Sequence, residues 1–217
     1  MDELETFQRA SGDLSVLFRG KQEMRVEFVA NGNPYWDQPA FVNGDIIFED
    51  NLYRNILLNI SAWKQQALVK NPSSPQVVAL SPALTSSLTM GNRSFVGIGP
   101  GEALPEGFYE VFGAGPVQVY KHVEKVVSDS VNDVNGSSIG YEDPYYRYDV
   151  YRYFGIHTTY YFRDAEGRFS RFKSKNALLR KFPDRRKEIR KAVKAAGVNS
   201  ENSFDDYCKA VLNAAAQ

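Results

Sequence analysis

The residues that could carry chemistry are few and widely spaced. Gly136-Ser137-Ser138-Ile139-Gly140 matches the Gly-x-Ser-x-Gly pattern of a nucleophile elbow. That turn needs a buried strand before the serine and a helix after it. Here 129–135 is polar and Pro144 follows closely, so Ser138 is read as a loop serine. His122 and His157 are the two histidines, and neither has a carboxylate spaced to orient it as a general base. His122 is expected at the surface, on the polar-leaning face of a strand, and His157 just ahead of another. Gly97-Ile98-Gly99-Pro100-Gly101 lacks the Lys-Ser/Thr pair and the following helix of a phosphate loop. One cysteine and two separated histidines do not make zinc-ligand spacing. Cys208 is read as a small buried apolar residue in a helix. Glu142-Asp143 with Asp133 could hold calcium, but adjacent loop carboxylates are more simply read as solvated. The chain reads as a non-enzymatic protein with no cofactor and no metal.

Two other stretches have the character of binding surfaces. Tyr141, Tyr145, Tyr146, Tyr148, Tyr151 and Tyr153 fall within thirteen residues, among Glu142, Asp143, Arg147, Asp149 and Arg152. Tyrosine offers rigid contact area at low entropic cost, which suits recognition of a protein or a surface glycan. The alternative is a long connector pinned to the body by its own rings. Charge is the second feature. The 217 residues sum to zero, yet 163–194 holds thirteen Lys/Arg against four Asp/Glu, and 1–162 holds twelve against nineteen. A helix from Asp184 to Lys194 would put Arg185, Arg186, Lys187, Arg190, Lys191 and Lys194 on its exposed side. Such a face can be solvated, or can dock on an acidic partner or anionic surface. Contact with nucleic-acid phosphates is the weaker alternative, because no aromatic interleaving or recognition helix accompanies it.

These groups must be held by a framework, and its pattern is legible. Hydrophobic content of 43% and charged content of 24% are ordinary for a globular domain, and aromatic content of 13% with many short β-branched runs points to strands. No stretch approaches the roughly 20 apolar residues of a membrane-spanning helix. The stretch from Asn33 to Asn59 organises the chain. Ile46–Phe48 and Leu52–Ile60 flank Glu49-Asp50-Asn51, which predicts a hairpin. Tyr35, Trp36, Phe41 and Tyr53 are read as core, with an aromatic platform as the alternative. Further strands are expected over 14–18, 25–29, 67–69, 76–80 and 93–98, while 84–90 is ambiguous. Phe108–Phe112 and Val117–Val127 bracket Gly113-Ala114-Gly115 as a second hairpin. On the latter strand Val117, Val119, Lys121, Val123 and Lys125 share one face, and Gln118, Tyr120, His122 and Glu124 the other. Residues 128–140 read as a polar excursion and 141–154 as a Tyr-dense connector. Thr158–Phe162 and Arg168–Phe172 flank Asp164-Ala165-Glu166-Gly167 as a third hairpin. Ser174 caps a short helix, Pro183 opens the next, and Gly197 stops it. Ser203 and Asp206 have capping-box spacing for a last helix.

Pro34-Tyr35-Trp36, Phe41, Gly44, Leu52-Tyr53, Asn55 and Leu57-Leu58-Asn59 resemble the opening hairpin of a family of Bacteroidota envelope proteins. Gly140-Tyr141-Glu142-Asp143-Pro144 fits the same family. So does the closing block 160–194, with Phe172-Lys173-Ser174-Lys175 and Phe182-Pro183-Asp184-Arg185-Arg186-Lys187. The resemblance implies an exported protein: periplasmic, outer-membrane-associated or secreted. It supplies no catalytic residues. The acidic, polar N-terminus shows no leader of its own. The expected fold is α+β, an antiparallel β-hairpin-rich body with a small C-terminal helical unit. The expected division is a β-rich body over 1–157 and a hairpin with basic helices over 158–217, with one compact domain as the alternative.

Overall fold

Glu49 and Asp50 both take left-handed backbone, with φ of 48° and 62°. Two such residues in succession turn a strand back with the twist of a hairpin. They join β2 (Val42–Phe48) to β3 (Asn51–Ser61), with Phe48 opposite Asn51. The computed structural model describes residues 17–18, 21–23, 30–72, 74–133, 148–198 and 203–216. From the first hairpin the chain continues through β4 (Gln66–Lys70), β5 (Val77–Leu80), β6 (Thr85–Met90), β7 (Arg93–Ile98) and β8 (Gly107–Phe112). Then come β9 (Gln118–Asp133), β10 (Tyr148–Arg163) and β11 (Phe169–Phe172), while β1 is only Lys21–Gln22. All eleven form one antiparallel sheet in the order β1-β5-β4-β3-β2-β6-β7-β8-β9-β10-β11.

The sheet curls on itself. Four strands lie between β3 and β9 in sheet order, yet the Lys125 amide of β9 donates to the Ala62 carbonyl just past β3, at 3.0 Å. Residues 31–36 fill the seam. Tyr35 bridges Ser61 of β3 while Asn31 bridges Tyr153 of β10. Gln65 ties the same seam: its Nε2 donates to Ala62 O and Val123 O, and its Oε1 accepts from the Phe108 amide. Inside the curl, Trp36, Ile46, Phe48, Leu58, Ile60, Leu88, Phe95, Phe108 and Val123 belong to one apolar cluster. Fully burying each such side chain contributes roughly 1.5–3 kcal/mol, which offsets the cost of closing so long a span.

Three helices follow. Ser174 caps α1 (Lys175–Leu179), its Oγ accepting from the Ala177 amide at 3.2 Å. Next is α2 (Arg186–Ala195). Gly197, at φ 75°, ends it with bonds from Val198 to Val193 O and from Gly197 to Lys194 O, a Schellman closure. Ser203 Oγ accepts from the Asp206 amide at the start of α3 (Phe204–Ala216). Leu178, Leu179, Ile189, Val193, Tyr207, Cys208, Val211 and Leu212 form a second apolar cluster with Phe112, Val119, Phe162 and Phe172 of the sheet. Burial pushes the Cys208 thiol up to about 12. No helix among the described residues is long and apolar enough to cross a membrane.

The molecule is thus mostly antiparallel β with a small C-terminal helical unit. Several expectations change. Leu17 is helical, not part of a strand, and 14–16 and 25–29 lie outside the described residues. The ambiguous stretch resolves into a 3-10 turn, Pro82–Leu84, followed by β6. Pro183 precedes the first turn of α2, whose N-cap is Arg185, so it shapes the turn before the helix. Residues 128–133 and 148–154, read as excursion and connector, are strand. They continue the β9–β10 ladder, and Asn31 pairs with β10 at Tyr153 on its other side. The division at 157/158 falls inside that ladder, between His157 and Thr158 of β10.

Candidate functional site: a charged cleft beneath the last helix

One row of cross-strand neighbours runs Phe95, Glu110, Lys121, Tyr160, Phe172 across β7 to β11. Its two ends belong to the two apolar clusters, and its middle is polar. The middle is where the curled body stops and the helical unit begins, so polar side chains there need partners from elsewhere. Glu110 is only 3% exposed, and its two oxygens accept from Arg93 Nε and Nη2 at 2.9 and 2.8 Å. Burial opposes the Arg93 charge, and the hydrogen bonds and charge of Glu110 outweigh it, holding the guanidinium above its ordinary value. Arg93 Nη1 also reaches Asp37 Oδ2 at 3.3 Å. From α3, Asp205 is clamped by Lys121 Nζ on one oxygen and by the Tyr160 hydroxyl on the other, at 2.7 Å for the tyrosine. Burial and the bond to Asp205 together raise the Tyr160 hydroxyl well above its usual range, so it stays a proton donor.

A cavity of about 390 Å³ opens over this network. Trp36, Val123, Ile156 and Thr158 contribute to its walls, with Ser203, Asp206 and Lys209 of α3 along one rim. Ile156 is 62% exposed, an apolar residue at the mouth of a charged cleft. A second hollow of about 310 Å³ adjoins it across Trp36, Asp37 and Arg93, and extends to Asn59, Asn43 and Met90. Asn59 fixes its wall by donating to Gln38 O and Ala40 O at 2.9 and 3.1 Å. At the seam, Lys125 Nζ donates to Asn33 O and Oδ1, and burial lowers its pKa.

The residues singled out by sequence lie elsewhere. Of the tyrosine tract, Tyr141, Tyr145 and Tyr146 are outside the described residues, as are the Gly136–Gly140 motif, Glu142 and Asp143. Tyr148, Tyr151 and Tyr153 sit in β10, opposite Asp133, Ser130 and Ser128. The connector reading fails for these three, because they are strand residues. Tyr153 is exposed. His122 is half-buried, stacked on Tyr109 at 4.7 Å with its Nδ1 3.1 Å from Phe108 O, and not a surface residue. His157 is exposed in mid-strand opposite Glu124. Arg186, Lys187, Arg190, Lys191 and Lys194 are exposed on α2. Arg185 leaves that group: its guanidinium turns inward and donates to Ala215 O and Ala214 O at 2.8 and 3.3 Å, closing the end of α3. Among the described residues no group of three His, Cys, Asp or Glu is placed to hold a metal ion.

Sequence reasoning did not assemble Arg93, Glu110, Lys121 and Asp205. A signal existed: Lys121 and Lys125 alternate with valines on a face that must be buried, and Glu110 sits between two phenylalanines. Charges at core-facing positions require partners. Compared with protein families, curated proteins and solved structures, the chain has no match.

Proposed function

We propose that this is a non-catalytic binding protein of the cell envelope or its exterior, and that it takes an uncharged glycan in the cleft beneath α3. One observation carries the reading. The cleft is lined by Arg93, Lys121 and Lys209 against Asp37, Glu110, Asp205 and Asp206, so its charges nearly cancel. An ionic ligand that reaches Arg93, Lys121, Glu110 or Asp205 would have to displace a partner from a clamped pair, which leaves a desolvated charge behind. A sugar hydroxyl both donates and accepts, and can join the network without breaking it. Arg93, Glu110, Lys121 and Asp205 are already fixed by bonds within the protein, so binding orders little there that is not ordered beforehand. Ile156, exposed at the mouth, offers an apolar contact for the ring carbons. Both oxygens of Glu110 and of Asp205 are committed to protein donors, which favours binding over proton transfer.

An array of immobilised neutral oligosaccharides tests this. Wild-type protein is expected to be retained, and Thr158→Trp, which fills the cleft without touching the ion pairs, to lose retention while keeping its circular dichroism. No retained saccharide, or equal retention by both proteins, overturns the reading. Recovery of the native chain in the cytoplasmic fraction of its cells overturns the location.

A further inference from the structure

Helix α2 is anchored by two residues, Ile189 and Val193, which are buried in the helical cluster. Arg186, Lys187, Arg190, Lys191 and Lys194 are all exposed. At 3.6 residues per turn these five fall within an arc of about 140° along about 12 Å of helix. No acidic, apolar or aromatic residue shares the arc. None of the five makes an ion pair among the described residues. The helix's one acid, Glu188, lies 3.6 Å from Arg185, and Arg185 is itself turned toward the end of α3. Like charges three and four residues apart repel, so the arrangement costs the folded chain stability, and only Lys194, in the last turn, has a favourable place at the helix C-terminus. The surrounding segment 163–194 carries a net charge of +9 in a chain whose total is zero. The molecule therefore has one strongly cationic end.

We infer that the α2 face docks the protein on an anionic phospholipid surface, lying on the headgroups without entering the hydrocarbon. Charge complementarity selects the partner. Five lysine and arginine heads on one flat, rigid face match closely spaced lipid phosphates, and each cation near such a surface adds to adsorption. The absence of any apolar side chain in the arc separates this from an inserted amphipathic helix, which needs an apolar face to bury. Arginine and lysine also contact nucleic-acid bases and phosphates, so a duplex DNA probe is the competing outcome of the test. The inference shares with the proposed function only the envelope location and is independent of the cleft.

The experiment is co-sedimentation of the full chain with vesicles of phosphatidylglycerol and phosphatidylcholine, and with phosphatidylcholine alone, at low and high salt. Binding is expected only with phosphatidylglycerol, and is expected to fall steeply as salt rises. A variant carrying Arg186→Gln, Lys187→Gln, Arg190→Gln, Lys191→Gln and Lys194→Gln keeps Ile189, Val193 and helix-forming side chains. It is expected to bind phosphatidylglycerol vesicles about a hundredfold more weakly or worse, with an unchanged circular dichroism spectrum. If that variant does not fold, Arg190→Glu with Lys194→Glu supplies the same comparison. Equal binding by the folded variant, or no vesicle binding by wild type, overturns the inference. Tighter wild-type binding to a duplex DNA probe at the same salt overturns it in favour of nucleic acid. Thr158→Trp is expected to bind vesicles as wild type does, which separates failure of the glycan reading from failure of this one.

Discussion

His122 illustrates how much a single polar side chain depends on its surroundings. The ring is stacked on Tyr109, and its Nδ1 lies 3.1 Å from Phe108 O. Burial is the largest influence and lowers its pKa from the ordinary 6.5, against the weaker pull of the Phe108 bond and the Glu124 charge. The unfolded chain therefore takes up a proton near 6.5 that the folded chain refuses until lower pH. Lowering the pH through 6.5 favours the unfolded chain, and the loss levels off below the folded pKa. Between about pH 7.5 and 5, the urea midpoint of the wild type is expected to fall more steeply than that of His122→Gln. Parallel profiles would show that the ring contributes nothing to the acid sensitivity. Carboxylates titrate in both proteins, so the difference between the profiles isolates His122.

The turn of the first hairpin is a defect that can be repaired. Glu49 and Asp50 both hold positive φ, a conformation that asparagine and glycine adopt with less strain. Glu49→Asn with Asp50→Gly is expected to raise stability by about 1 kcal/mol, read as a higher urea midpoint with an unchanged slope. No gain would mean that another interaction fixes this turn. The hairpin was legible in sequence because its signals are local: turn formers between apolar runs. So were the hairpins around Gly113-Ala114-Gly115 and Asp164-Ala165-Glu166-Gly167, the Ser174 cap and the Gly197 stop. The far halves of β9 and β10 were not. Ser128, Asp129 and Ser130 carry no apolar alternation, so no sequence period announces the strand; it is held by its ladder to β10. The cleft was half legible. Inward lysines could be counted on β9, but Lys121 meets an aspartate 84 residues away, and no local pattern reports that distance.

At the scale of the whole molecule, the seam decides whether the curled sheet is one body. Gln65 holds three backbone groups of it, from Ala62, Val123 and Phe108. Gln65→Ala takes the acceptor from the Phe108 amide and a donor from Val123 O, while Ala62 O keeps the Lys125 amide, at a cost of about 1–3 kcal/mol. The amides of Phe108 and Lys125 are expected to exchange with deuterium faster than those of the distant β2–β3 hairpin. Uniform acceleration would instead mean that the seam opens only with global unfolding. The ends of the molecule differ in charge as well as in structure, so strong salt is expected to act on the α2 face more than on the clamped pairs of the cleft.

The seam also sets a clock. Lys125 meets Asn33 across 92 residues, and no shorter path through the chain makes that contact. Hairpins such as β2–β3 can form in microseconds, but a closure between such remote partners must wait for both to be in place. Until it closes, the sheet's apolar side is without its cover, and exposed apolar surface of that kind promotes self-association. A chain assembled from local hairpins is therefore expected to close this seam late, and the yield of refolding is expected to fall as protein concentration rises.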